Sequence, residues 1–251
     1  MPTLRLDIWS DIACPWCYVG KRRLEQALAG FAHAADTEII WHAFELDPRA
    51  PRVRTGTQRN VERLAAKYRV TPAQAQQMID RLIETGAGAG LDLRLHDSRG
   101  GNTFDGHRLL HWALDEGGPA AQGALKERLL RAYHTEAAAI GEPEVLAALA
   151  DDVGLAGAAA ILATSRYADS VRADEATARD LGVTGVPFFV LAGRMAIAGA
   201  QPASLMAGSL ARAWAMLAEH EPAAPDAASA PADGAACGPD GCDDADAPAQ
   251  P

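Results

Sequence analysis

The sequence has few features of a nucleic-acid-binding or membrane protein. Its 23 lysines and arginines are outnumbered by 33 acidic residues, giving a formal net charge of −10 at pH 7, whereas phosphate binding needs clustered positive charge. No apolar run approaches the roughly 18 residues of a membrane-spanning helix. The N-terminus lacks the basic stretch, apolar segment and small-residue cleavage site of a secretory signal. These absences predict a cytoplasmic protein that binds neither nucleic acid nor membrane.

Cysteine is also scarce, with four residues in 251, and they fall into two close pairs, Cys14 with Cys17 and Cys237 with Cys242. In a reducing compartment such pairs are more often redox-active or metal-binding than structural. A single zinc site built from all four thiolates is disfavoured, because its ligands would come from opposite ends of the chain. We therefore expect no metal site and no cofactor beyond a redox-active disulfide.

The first pair lies at a predicted junction between a strand and a helix. Residues 3–9 alternate apolar and polar side chains, as in a half-buried strand, and apolar residues recur at helical spacing over residues 24–31. A helix that begins at Cys14-Pro15-Trp16-Cys17 places the first sulfur beside free backbone N–H groups and the positive end of the helix dipole. This position favours a thiolate at Cys14, which makes Cys14 the candidate nucleophile and Cys17 the resolving residue.

The remaining pattern predicts an interrupted α/β domain. A strand over residues 37–46 would complete a right-handed strand–helix–strand unit with parallel strands. Helical patterns fill the middle of the chain, and a hairpin over residues 188–198 precedes a last helix that starts after Gln201-Pro202. This order predicts a thioredoxin-like α/β fold interrupted by a large all-helical insertion. The predicted divisions are residues 1–54 and 182–220 for the two halves of the thioredoxin-like domain, 55–181 for the insertion and 221–251 for a tail.

The tail contains seven acidic residues and no lysine or arginine, a composition that predicts disorder because it buries too little apolar surface. It carries Cys237-Gly-Pro-Asp-Gly-Cys242. A flexible tether would let these thiols reach the first pair, so they are a candidate second redox pair. A passive tail, or capture of a soft metal by thiolates and carboxylates, are the alternatives.

Several sequence phrases together resemble the DsbA-like branch of thioredoxin-fold oxidoreductases, and within it the cytoplasmic FrnE-type members. The resemblance covers about residues 4–217, and the tail resembles a C-terminal extension with two cysteines that some FrnE-type proteins carry. A lone Cys-x-x-Cys would be a much weaker signal. The phrases that carry the resemblance are residues 10–21, 102–110, 132–136, 185–188 and 199–202.

The resemblance implies a disulfide oxidoreductase or isomerase that acts on protein thiols and disulfides, with glutathione or another small thiol as a candidate reductant or co-substrate. It also implies a cis Val186–Pro187 peptide bond that faces the redox pair. The backbone of Val186 would then offer an extended edge to a substrate peptide, with Pro15 and Trp16 beside it.

Two other functions stay open at this point. The kappa-class glutathione transferases and the 2-hydroxychromene-2-carboxylate isomerases share the implied architecture, but they have Ser where this chain has Cys14. That difference favours thiol exchange over glutathione-dependent transfer or isomerisation. The third function is a thiol-based metal or stress-response buffer that uses both cysteine pairs.

Five further residues are weaker candidates. Asp7, near the end of the first predicted strand, is a candidate proton relay for the second thiol, with a plain solvated carboxylate as the alternative. Asn102, Phe104 and His107 are candidate lining residues of the cleft, on the basis of the family phrase that contains them. His107 and His111 stand four apart on a predicted helix, but two ligands do not make a metal site, so packing is favoured.

Overall fold

The computed structural model describes residues 2–52 and 60–219, and a four-stranded mixed sheet lies at their centre. Its strands are β1 (Leu4–Ser10), β2 (Thr37–Ala43), β3 (Phe188–Leu191) and β4 (Met195–Ala198). Across the sheet they follow the order β2-β1-β3-β4, with β1 parallel to β2 and antiparallel to β3, and with β4 antiparallel to β3. This arrangement confirms the predicted thioredoxin-like α/β fold.

The helices follow the order expected from the sequence. Thr71 caps α3 through a reciprocal capping box with Gln74, as the Thr71-Pro72 start predicts. Among the described residues, no helix is long and apolar enough to cross a membrane. The helices are α1 (Pro15–Ala29), α2 (Asn60–Tyr68), α3 (Pro72–Gly88), α4 (Phe104–His134), α5 (Pro143–Asp151), α6 (Ala158–Leu162), α7 (Ala168–Asp180) and α8 (Ala203–Ala218).

The two faces of the sheet carry different helices, because successive residues of a strand point to opposite faces. On one face, Ile8 of β1 belongs to a core with Leu24 of α1 and Leu210 of α8. On the other face, Trp9 packs against Ala178 of α7. The helices between β2 and β3 therefore include some that cover the sheet directly.

Helix α4 covers the free edge of β2. The fully buried side chain of Gln122 accepts a hydrogen bond from the Trp41 amide at 2.8 Å and donates one to the Trp41 carbonyl at 2.9 Å. An edge strand is thereby paired without a further strand. The helical patterns from Thr103 and over residues 125–138 predict two separate helices here. The structure agrees, because α4 is interrupted by a kink at Gly118, whose backbone is non-helical (φ 68°, ψ −167°).

Strand β2 is shorter than predicted. The pattern favoured a strand to Leu46, but β2 ends at Ala43. The reason is that the amide of Leu46 donates a hydrogen bond to the carboxylate of Asp11 at 2.8 Å. This contact draws the chain toward the loop after β1 and away from the sheet.

Part of the predicted organisation lies outside the described residues. The 54/55 and 220/221 boundaries fall there, and so does the acidic tail with Cys237 and Cys242. The division into two thioredoxin-like halves, an insertion and a tail therefore stays a prediction.

A buried charge network joins the sheet to α7. On β2, Nδ1 of His42 is 2.7 Å from the carboxylate of Asp174, and Nε2 is 2.8 Å from the carboxylate of Asp7. The amide of Ala43 donates to Asp174 at 2.7 Å. Burial disfavours the charged ring, but the two carboxylates outweigh it and raise the pKa of His42 to about 9. At neutral pH, the imidazolium therefore donates to both carboxylates.

We predict that this network makes stability fall as the pH rises through about 9. Because the pKa of His42 is higher in the folded than in the unfolded protein, its contribution is complete below about 6.5 and lost above the folded value. Urea unfolding across this pH range should show a loss on the order of 3 kcal/mol. His42→Gln should be less stable near neutrality and should lack this loss, whereas exposed His96→Gln should keep the wild-type profile. A wild-type profile in H42Q would contradict the prediction.

Candidate active site

The two thiols lie at the junction between β1 and α1. Cys14 is the N-cap of α1, its backbone is extended (φ −91°, ψ 110°), and Pro15 occupies the first helical position. The Cys17 amide donates a hydrogen bond to the Cys14 carbonyl at 3.0 Å. Both cysteines carry free thiols, with exposed fractions of 4% and 1%. The strand-to-helix junction thus holds both thiols buried, and Cys14, unlike Cys17, is among the residues that line the groove described below.

The chain segment before β3, about 170 residues after Cys14 in the sequence, also lies next to the thiols. The thiol of Cys14 donates to the carbonyl oxygen of Val186 at 3.5 Å. The Val186–Pro187 peptide bond is cis, as the family resemblance implies. Antiparallel pairing of Phe188 with Trp9 brings this segment to the carboxyl end of β1. Val186 and Pro187 therefore lie against the redox pair.

Gly20, to which the sequence alone assigned no role, makes room for Pro187. A Cβ atom at position 20 would lie 2.9 Å from Cγ of Pro187 and 3.4 Å from Cζ of Phe189. The first distance is shorter than a relaxed carbon–carbon contact. A glycine on the buried face of α1 is the sequence signal that could have found this close approach.

An apolar groove of about 380 Å³ opens beside Cys14. Trp16, with 43% of its surface exposed, lies next to it, and Tyr68 and Met78 from α2 and α3 are also exposed there. Lys67 and Arg81 add positive charge to the lining. The lining residues are Ala13, Cys14, Pro15, Trp16, Leu46, Asn60, Leu64, Lys67, Tyr68, Met78, Ile79, Arg81, Leu82, Leu95, Ser98, Tyr133 and His134.

Four ionisable side chains are buried near the thiols: Asp11, His107, Lys126 and His134. Asp11 is the acidic residue among them. Its carboxylate accepts hydrogen bonds from the amides of Ala13 at 3.2 Å and Leu46 at 2.8 Å, and Nε2 of His107 is 3.4 Å away. Burial alone would raise the pKa of Asp11, but its hydrogen bonds, first the one with His107, hold the pKa below its usual value. Asp11 is therefore an ionised carboxylate inside the protein.

The three basic residues, His107, Lys126 and His134, all have pKa values lowered by burial. His134 has its Nε2 2.9 Å from the carbonyl of Ile12, and burial lowers its pKa to about 4. Burial also lowers the pKa of His107. Lys126 has no exposed surface, its Nζ lies 5.4 Å from the centre of the Trp41 ring, and burial lowers its pKa to about 8. No feature of the sequence singled out Lys126.

Cys17 differs chemically from Cys14. Burial, and then a hydrogen bond and charge repulsion from Cys14, raise the pKa of Cys17 well above that of a free thiol, while the positive charge of Lys126 opposes the shift. Cys17 is therefore protonated at neutral pH, and it must lose its proton before it can attack a disulfide.

Asp7 lies on the wrong side of the sheet for its predicted role. Its carboxylate pairs with Arg5 at 2.8 Å and with His42 at 2.8 Å, on the face opposite α1. Because Asp7 alternates with Ile8, the sheet separates its carboxylate from Cys17. The relay role assigned to Asp7 is thus corrected by the geometry.

The three predicted cleft residues support the start of α4 instead. Asn102 donates to the carboxylate of Glu45 at 3.1 Å and accepts from the amide of Phe104 at 2.9 Å. The guanidinium of Arg172 stacks over the Phe104 ring at 4.3 Å, and His107 is buried below the surface.

The groove at Cys14 is lined by other residues, among them Tyr133 and His134. The family phrase over residues 132–136 contains both and was the available signal. His107 and His111 do not share a ligand, because His107 faces Asp11 whereas His111 lies 2.9 Å from Asp174.

A family model for DSBA-like thioredoxin domains matches residues 5–211. The chain belongs to the DSBA-like thioredoxin domain family. A solved DSBA-like structure, a probable DsbA oxidoreductase from Streptomyces coelicolor, is 42% identical, with a TM-score of 0.79 and coverage of 95% of this chain and 98% of that one. The uncharacterized protein YwbO of Bacillus subtilis is 28% identical over 193 residues, which are 75% of this chain and 87% of YwbO.

A more distant solved structure is a 2-hydroxychromene-2-carboxylate isomerase. It is 15% identical, with a TM-score of 0.63 and coverage of 87% of this chain and 100% of that one. At this identity, the likeness shows that the DSBA-like chain and the isomerase share a fold. It gives no information about the reaction that this chain catalyses. The FrnE-type assignment within the family stays a prediction.

We predict that Gly20→Ala slows thiol exchange and destabilises the fold by about 1 to 3 kcal/mol, because the new methyl group must displace Pro187. Stopped-flow reduction of a small disulfide and thermal unfolding would measure the two effects. Gly30→Ala is the matched control, since a Cβ at that end of α1 meets nothing within 4 Å. Equal behaviour of G20A and G30A would show that the contact with Pro187 is dispensable.

Proposed function

We propose that this DSBA-like protein catalyses thiol–disulfide exchange on protein substrates through Cys14 and Cys17. The observation that carries the proposal is the position of Cys14 as the N-cap of α1, 3.5 Å from the Val186 carbonyl and at the end of an apolar groove. A thiol at a helix N-terminus is favoured as a thiolate, which is the form that attacks disulfides.

In the proposed reaction, the Cys14 thiolate attacks one sulfur of a substrate disulfide, and the other substrate sulfur leaves as a thiolate. The Sγ of Cys17 then attacks the Sγ of Cys14 and releases the substrate as a dithiol. The reverse sequence oxidises a substrate dithiol. The groove supports this division of roles, because Cys14 lines it and Cys17 does not, so a substrate sulfur bound there meets Cys14 first.

We propose that a substrate binds both to the backbone of Val186 and to the apolar groove beside Cys14. The Val186 backbone before β3 offers an extended edge for main-chain hydrogen bonds, which tolerate many sequences. The exposed ring of Trp16 and the groove formed with Tyr68 and Met78 supply apolar contact. This combination fits unfolded or partly folded proteins better than a small aromatic substrate that must be held in one orientation. Pro15 lines the same groove.

We predict that Cys14→Ser abolishes insulin reduction and scrambled-ribonuclease refolding, because it removes the attacking sulfur. Cys17→Ser should instead accumulate a mixed disulfide between Cys14 and the substrate, visible on non-reducing gels and by mass spectrometry. Cys242→Ser is the control cysteine variant and should keep single-turnover exchange at Cys14. Activity that survives C14S would overturn the proposal, and glutathione-dependent turnover of an aromatic substrate in C14S would favour the isomerase-like alternative.

The tail pair is proposed as a second redox centre that regenerates the first, with glutathione or another small thiol as the final reductant. The cytoplasmic location belongs to the same proposal, because a reducing compartment keeps such thiols available.

We predict that the double variant Cys237→Ser/Cys242→Ser keeps the first turnover of insulin reduction but loses several-fold in steady-state rate. Rapid-quench and steady-state assays would separate these phases. Unchanged steady-state rates would favour a passive tail. Metal that co-purifies with wild type under reducing conditions but not with the double variant would favour the metal-buffer alternative.

A further inference from the structure

The groove beside Cys14 has positive charge but no negative charge in its lining. Lys67 of α2 and Arg81 of α3 line it, and among the described residues no aspartate or glutamate does. His134 adds no charge at neutral pH, because burial lowers its pKa to about 4. The whole chain, by contrast, has a formal net charge of −10. The groove is therefore a positively charged part of an acidic protein.

A second cavity, of about 540 Å³, continues the groove. Arg49 and Arg63 line it, together with Asp47 and the buried Asp11. Lys67 lines both cavities. A polypeptide segment that leaves Cys14 along the groove can therefore pass Lys67 and reach Arg49. The residues that line both cavities are Ala13, Leu46, Asn60, Leu64, Lys67 and Tyr133.

Three of these cations are not used by the described part of the fold. The side chains of Arg49, Lys67 and Arg81 are exposed, and they form no ion pair or hydrogen bond within residues 2–52 and 60–219. The Nζ of Lys67 lies 5.9 Å from the centre of the Tyr68 ring. Arg63 differs, because its guanidinium donates to the carbonyl of Ser98 at 2.9 Å. Arg49, Lys67 and Arg81 are therefore available to the carboxylates of a ligand.

We propose that the groove and the second cavity select protein disulfides that have aspartate or glutamate close to the cysteine, a preference that rests on the thiol exchange proposed above. The exposed Trp16 and Met78 pack against the apolar residues next to the substrate cysteine. Lys67, Arg81 and Arg49 attract the carboxylates farther along the substrate chain.

The charges act on both binding and encounter. A pair of exposed opposite charges changes an equilibrium by up to about fivefold. Clustered charge of one sign also raises the association rate of an oppositely charged partner and lowers that of a like-charged one. Because several cations line the two cavities and act together, we expect acidic and basic substrates to differ by about 10-fold at low salt.

A peptide segment fits this lining better than a small thiol such as glutathione does. Glutathione carries an ammonium group as well as carboxylates, and no described carboxylate lines the groove to receive that ammonium. An acidic side chain within a polypeptide brings negative charge alone. The continuation of the groove into the second cavity also gives an extended segment more surface than one small molecule covers.

The test uses three synthetic peptides, each with one disulfide, that differ only in the residues flanking the apolar positions beside the cysteines. The flanks are two Asp, two Asn or two Lys. Reduced protein is mixed with each peptide, and acid-quenched samples give the second-order rate constant for peptide reduction. At low salt, the Asp peptide should react about 10-fold faster than the Lys peptide, with the Asn peptide between them. At 1 M salt, where the Debye length is about 3 Å, this preference should largely disappear.

Charge reversal locates the preference. The double variant Lys67→Glu/Arg81→Glu should prefer the Lys peptide over the Asp peptide, because it makes the groove negative. The matched control Arg194→Glu/Arg212→Glu changes the net charge by the same amount at two exposed positions that line neither cavity. It should keep the wild-type preference. Comparing variants on the same peptide cancels differences in the intrinsic reactivity of the peptide disulfides.

Equal rates for the Asp and Lys peptides in wild type at low salt, or an unchanged preference in K67E/R81E, would overturn the inference and leave the proposed function intact. Equal peptide rates together with reduction of oxidised glutathione that depends on Lys67 and Arg81 would also overturn it, in favour of a small thiol. If K67E/R81E does not fold, a wild-type preference that persists at 1 M salt overturns the inference. If no peptide is reduced, the proposed function fails and the inference fails with it.

Discussion

The structure depends on the pairing of β3 with β1, because this pairing brings two distant segments of chain to one point. Phe188 lies opposite Trp9, so the residues before β3 meet the loop that follows β1. The thiol of Cys14 consequently reaches the carbonyl of Val186. A cysteine pair at a helix start is a local feature, but the cis Val186–Pro187 segment lies beside it only through this long-range ladder.

The second constraint is the burial of charge beneath the thiols. Asp11, His107, Lys126 and His134 are all within the protein, where electrostatic interactions are stronger than in water and unpaired polar groups are costly. The two sulfurs have different surroundings. Cys14 lines the groove, whereas burial holds the pKa of Cys17 well above that of a free thiol.

Helix α4 connects the fold to this chemistry. Gln122 takes the place of a missing strand at the edge of β2, and Glu127 binds α1 through Tyr18 and Lys21. Because the helix is attached at both points, the side chain of Lys126 between them is held in the interior, with its Nζ 5.4 Å from the centre of the Trp41 ring. A helix that follows β2 by some 60 residues in sequence therefore contributes Tyr133 and His134 to the groove beside Cys14 in space.

The sequence by itself determined the local features. Alternation in β1, helical spacing in α1, the Thr71-Pro72 start and the motif Cys14-Pro15-Trp16-Cys17 depend on neighbours within a few residues, and the structure has the strand, the helices and the thiols where these patterns place them. The family phrases added the cis bond at Pro187, which sequence statistics would not have favoured.

Only the tertiary structure decided which side chains surround the thiols. Asp7 and Asp11 look alike in sequence, but strand alternation puts Asp7 behind the sheet, and the loop after β1 puts Asp11 under Cys17. Lys126 is one of three lysines in the sequence, and only packing shows that it is removed from water. The reason is that burial and electrostatic environment arise from contacts between residues far apart in the chain, which no local pattern records.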